Sequence, residues 1–80
     1  MLAWSTLQPG DRFCVAGFGA QISPSYRQQC LSLGLTPGVE VELIRRAPLG
    51  DPLQLRVRGV LLSVRLTEMV DVFIRSVQES

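Results

Sequence analysis

The chain has 80 residues, 46% of them hydrophobic and 19% charged, which describes one globular domain over 1–80 and excludes disorder and repeat arrays. A domain of this size buries only about 60% of the surface its unfolded chain exposes, so a single core needs nearly every apolar residue and little chain is left for a catalytic pocket. Eight cations, all arginine, against seven carboxylates give a net charge of +1, short of the strongly basic balance of a dedicated nucleic-acid binder.

The first element follows the turn Leu7-Gln8-Pro9-Gly10-Asp11, where proline presets φ and glycine supplies a positive φ; a strand is predicted from Arg12 to Ala16, stopped by Gly17 and Gly19. Ile22-Ser23-Pro24 then sets a capping hydroxyl before a proline suited to a first helical turn. The helix is predicted over Ser25–Leu33, with Tyr26, Cys30 and Leu33 on its core face, Arg27, Gln28 and Leu31 on the other, and Gly34 as its C-terminal stop. A second Pro-Gly turn at Pro37-Gly38 opens Val39-Glu40-Val41-Glu42-Leu43, whose alternation marks a half-buried strand.

Neither helix nor strand continues through Ala47-Pro48-Leu49-Gly50-Asp51-Pro52. Beyond it, Leu53 to Arg58 and Val60 to Leu66 both alternate, and Arg58-Gly59 between them is a hairpin turn. A short 3₁₀ step at Thr67-Glu68-Met69 leads to a last strand, Val70–Ile74, and a polar tail, Ser76–Ser80, expected to fray beyond Val77. The in-phase sets Val39/Val41/Leu43, Leu53/Leu55/Val57, Val60/Leu62/Val64/Leu66 and Val70/Val72/Ile74 bury best inside a closed sheet. The predicted fold is therefore mainly β: a small SH3-like β-barrel of about five strands with a helical insertion after the first strand.

The absence of histidine removes the commonest general base at neutral pH and the commonest nitrogen ligand for zinc, copper or iron. Cys14 and Cys30 lack CxxC spacing and are too few for a disulfide scaffold, so they read as reduced apolar residues. Two thiolates also fall short of the roughly four ligands of a closed metal site, so no metal or other cofactor is expected. Gly17-Phe18-Gly19 lacks the third glycine of a dinucleotide motif, and a phosphate-binding P-loop is impossible without lysine; no catalytic residue is assigned. Met1–Gly10 has neither a basic n-region nor an apolar h-region, and no run approaches the roughly 20 apolar residues of a membrane span. These features predict a cytoplasmic protein that is not an enzyme and does not insert in the membrane.

Arg56, Arg58 and Arg65 on the outward phase, with Arg45 and Arg46 entering the loop, give one side a basic cast. The alternative that this side binds nucleic-acid phosphates lacks its aromatic platform, since Trp4, Phe13, Phe18, Tyr26 and Phe73 do not interleave with the arginines.

Four pieces of the chain, Ile22–Gln28, Leu31–Gly38, Ala47–Pro52 and Val60–Arg65, together resemble the FeoA family, over about Leu7 to Val77. The resemblance implies a small cytoplasmic SH3-like domain of bacterial ferrous iron uptake that contacts FeoB, an inner-membrane transporter with a G-protein domain, and modulates its activity or assembly. The candidate contact residues are chosen from expected exposure: Leu49 and Asp51 in the proline-bounded loop, Leu61 on the outward phase, and Arg27 and Leu31 on the free helix face. Exposed sheet edges and Leu61 leave weak self-association open.

Overall fold

The computed structural model describes residues 2–78. In chain order the elements are β1 (Arg12–Phe18), α1 (Pro24–Ser32), β2 (Glu40–Arg46), β3 (Leu53–Val57), β4 (Val60–Val64) and β5 (Val72–Ser76), with single 3₁₀ turns at Trp4–Thr6 and Leu66–Glu68. The five strands form one sheet in the order β4-β3-β2-β1-β5, every neighbouring pair antiparallel. Every strand contributes to one core, which holds Phe13, Val15, Val41, Leu43, Leu53, Leu55, Val57, Val64, Val72 and Ile74.

Local chemistry accounts for the element ends. In the turn before β1, Asp11 N donates to Gln8 O and Gln8 N donates to the Asp11 carboxylate, with Gly10 at φ +94°. The helix starts where the Ser23 hydroxyl accepts the Tyr26 amide at 3.2 Å and Pro24 occupies the first turn. It ends where Gly34, at φ +93°, lets Leu35 N reach back to Cys30 O at 3.0 Å. Arg58 and Gly59, at φ +50° and +80°, form the two-residue turn whose twist suits a tight hairpin, and β3 and β4 pair without a break from Val57↔Val60 to Leu53↔Val64.

Several expectations need correction. β1 does not stop at Gly17: after a register shift between Val15 and Gly17, pairing with β5 resumes at Gly17↔Phe73 and continues to Phe18↔Val72. β2 also runs past Leu43 to Arg46, because a second shift between Leu43 and Arg45 absorbs Ile44. Leu33 is 42% exposed, and the core position expected of it goes to Leu35 once the chain reverses at Gly34. Val60 is 56% exposed and Leu62 half-buried, because β4 is an edge strand with no neighbour on its outer side. Leu66 is half-buried in the 3₁₀ turn rather than in a strand. Val70, 71% exposed, precedes β5 in a turn closed by Val72 N to Met69 O, and Met69 fills the core instead.

The N-terminal segment is part of the packing, which sequence alternation does not reveal. Leu2 bridges Ile74 of β5, Leu7 is buried, and Trp4 packs edge-on against Phe13 at 5.2 Å while its indole N–H donates to Val72 O at 2.9 Å. Ser76, expected in the tail, closes β5, and Val77-Gln78 form a turn in which Gln78 N donates to the Ser76 hydroxyl at 3.2 Å; residues 79–80 of the expected tail lie outside the described residues.

Candidate partner-binding surface

The β2–β3 loop combines a fixed backbone with an exposed apolar crest. Gly50 N donates to Ala47 O at 2.7 Å and Ala47 N to Pro52 O at 3.1 Å, closing the turn on itself. At the crest Leu49 is 97% exposed, so its isobutyl group stands in water on a backbone already ordered. Asp51 is half-buried, and its carboxylate accepts the Leu66 amide at 2.8 Å, tying the loop to the 3₁₀ turn after β4. Beside the loop, a shallow groove of about 170 Å³ runs between Arg45, Ala47, Pro52, Leu53, Gln54 and Ser63.

The other candidates fall on different elements. Leu61 lies opposite Arg56 on β4 and is 52% exposed, on the outward phase as expected. Arg27 is exposed on α1, its guanidinium 5.6 Å from the Phe18 ring centroid in a cation–π contact, and Leu31 is half-buried. Loop, edge strand and helix thus each present part of the set. Leu49, Asp51 and Leu61 belong to the β3–β4 side of the sheet, whereas the partner of Arg27, Phe18, pairs with β5.

Sequence reading missed Arg46. Far from joining an exposed basic loop, it is half-buried and its guanidinium donates to Leu7 O at 2.7 Å, Trp4 O at 3.2 Å and Gly50 O at 3.4 Å. The register shift around Ile44 gives Arg46 its place on this side, and alternation alone carries no signal for it. Of the remaining basic side Arg56 lies 3.3 Å from Glu42, and on the adjoining β1 Arg12 lies 3.7 Å from Glu40. That weakens the case for a phosphate-binding face.

Under the helix, the Tyr26 hydroxyl donates to the Met69 sulfur at 3.3 Å. Burial, with smaller contributions from Cys30 and Glu68, pushes the Tyr26 phenol from 10.0 up to about 12. Burial likewise raises the Cys30 thiol, and both cysteines are free and buried. A thiol raised in this way is a poor nucleophile and a poor ligand at neutral pH, which is the case for Cys30. Among the described residues no group of three or more Cys, Asp or Glu side chains is placed to hold a metal ion, and no helix is long and apolar enough to cross a membrane.

A mainly β sheet curled around one core, with its helix inserted after β1 and its apolar side chains offered from a loop and an edge, defines a small SH3-like β-barrel. Its likeness to known proteins is specific. The model of the FeoA domain matches residues 5–76, and the chain belongs to the FeoA family. A FeoA protein from Chlorobium tepidum is 32% identical, with a TM-score of 0.83 over 99% of this chain and 73% of that one. A Pseudomonas aeruginosa protein is 37% identical, with a TM-score of 0.68 over 89% of this chain and 95% of that one. The zinc-complexed FeoA of Stenotrophomonas maltophilia, 21% identical, shares the fold at a TM-score of 0.74 over 92% of this chain and 89% of that one, and is described as an SH3 domain protein.

Proposed function

We propose that the chain is a cytoplasmic accessory protein of bacterial ferrous iron uptake that binds the cytoplasmic part of a FeoB-type transporter and modulates its activity or assembly. Membership of the FeoA family supports the pathway, and the Stenotrophomonas maltophilia protein of the same fold is put forward as a ferrous iron transport activating factor. The observation that carries the mode of action is Leu49, fully presented at the crest of a loop held by its own backbone bonds. A leucine so placed gains roughly 1.5–3 kcal/mol when a partner buries it, and the loop loses little entropy because it is ordered beforehand. Leu61 on the neighbouring edge strand extends the apolar contact and Arg27 on the helix supplies a charge-assisted bond, with Leu31 and Asp51 at the margins.

Leu49→Asp tests the reading, because nothing in the fold rests on that side chain. Ferrous iron uptake by cells should be lost while circular dichroism and melting temperature stay close to wild type. Normal uptake with a well-folded Leu49→Asp protein would remove the loop from the mechanism and shift the contact to Arg27 and Leu31.

A further inference from the structure

We infer that the free edge of β4 is a self-pairing edge, where a second copy of this chain adds its own β4 antiparallel across a two-fold axis at Leu62. The inference goes beyond the transporter contact and stands on separate observations.

The two sheet edges differ. β5 is covered in part by Leu2, which bridges Ile74, and its pairing with β1 is interrupted by a register shift. β4 has neither device: its five pairs with β3 are regular, and Val60-Leu61-Leu62-Ser63-Val64 contains no proline and no charge. Natural sheets normally blunt an edge with such features, so an edge lacking them is competent to pair.

The hydrogen-bond phase fixes what the edge offers. Across a two-residue hairpin turn the flanking residues, here Val57 and Val60, form a hydrogen-bonded pair, and alternation gives Leu55–Leu62 and Leu53–Val64 the same status. The N–H and C=O groups of Leu61 and Ser63 therefore point away from β3, and among the described residues no other backbone bond engages them. A two-fold at Leu62 places Leu61 opposite Ser63 of the other copy, and Ser63 opposite its Leu61, which makes about four main-chain bonds.

Side chains favour the same register. Val60 and Leu62 carry the core phase of the alternation yet stay 56% exposed and half-buried, because β4 lacks an outer neighbour. In the pairing Val60 packs beside Val64 of the other copy and Leu62 meets Leu62. Arg58 and Arg65 fall opposite Leu66 and Gly59, so no like charges face each other. Leu61 keeps its side chain on the outer face, since the pairing uses only its backbone.

The interface is small, and a dissociation constant of about 0.1–1 mM is expected for it. Amide hydrogen exchange on the wild-type protein, read from about 0.02 to about 1 mM, is the test. Exchange at Leu61 and Ser63 should slow about two- to fivefold over that range by mass action, with Leu62 and Val64 protected throughout. Val60→Lys, at a position already exposed, should abolish the concentration dependence and leave sedimentation monomeric. Fast exchange at Leu61 and Ser63 at every concentration would overturn the inference, as would a dimer indifferent to Val60→Lys. Protection that appears only on adding a transporter's cytoplasmic domain would also overturn it, and would assign the edge to that partner instead.

Discussion

At the scale of single residues, Arg46 carries the most structure per side chain. Its guanidinium joins the N-terminal segment, through Trp4 O and Leu7 O, to the β2–β3 loop, through Gly50 O. Bonds from a charged donor contribute about 1.5–3 kcal/mol, and removing the donor takes that bond from Leu7 O and Gly50 O, while Trp4 O keeps the Leu7 amide. Arg46→Met should therefore lower stability by about that amount in urea titration, with an unchanged slope because the surface exposed on unfolding is the same. Tyr26 gives a prediction in pH. Its folded-state value, about 12, lies above the ordinary 10.0, so the fold keeps the full contribution of the protonated phenol below pH 10 and loses it as pH rises toward about 12. The chain has one tyrosine, so phenolate absorbance reports this group alone. It should titrate near 12 in the folded protein, and Tyr26→Phe should flatten the fall in stability over that window.

At the scale of elements, the β3–β4 hairpin separates what alternation reveals from what it hides. Both strands alternate equally well in sequence, but Leu55 is fully buried between two neighbouring strands while Leu62 lies half-buried on the edge. Leu55→Ala should cost about 2–5 kcal/mol and Leu62→Ala below about 2 kcal/mol, measured by chemical denaturation. Equal costs would mean that the edge is as deeply covered as the centre. Periodicity encodes which face a residue takes but not whether a second strand lies beside it. For that reason Val41, Leu43, Leu53 and Leu55 were legible as core and the exposure of Val60 was not. Turn chemistry was legible wherever one residue type satisfies a backbone need, as at Ser23, Gly34 and Arg58-Gly59. Register shifts at Ile44 and before Gly17 left no local mark, and they decide where Arg46 and Phe18 lie. Of the candidate surface, the exposure of Leu49 and Leu61 followed from loop and phase. The internal bond of Asp51 to Leu66 N is a long-range fact that only the fold supplies.

At the scale of the whole molecule, one core draws buried side chains from every strand, while Leu49, Leu61 and Val70 stay exposed on the rim. Cys30 lies in that core with its thiol raised by burial, and Cys14 is buried on β1. Elemental analysis of protein purified without chelator should accordingly find no stoichiometric zinc or iron on the monomer. Retained metal that disappears in Cys30→Ser would reverse that expectation. The latch formed by Arg46 has an optical consequence. Its guanidinium touches the carbonyl of Trp4, the chain's one tryptophan, while the indole N–H is held by Val72 O and the ring rests on Phe13. A partner docked on Leu49 sits one residue from Gly50, whose carbonyl accepts the same guanidinium, so any displacement of Gly50 on docking should be read as a shift of the intrinsic emission with no dye attached. The protein carries its own fluorophore, wired to its most exposed leucine, and an emission scan during titration with a transporter's cytoplasmic domain is enough to read it.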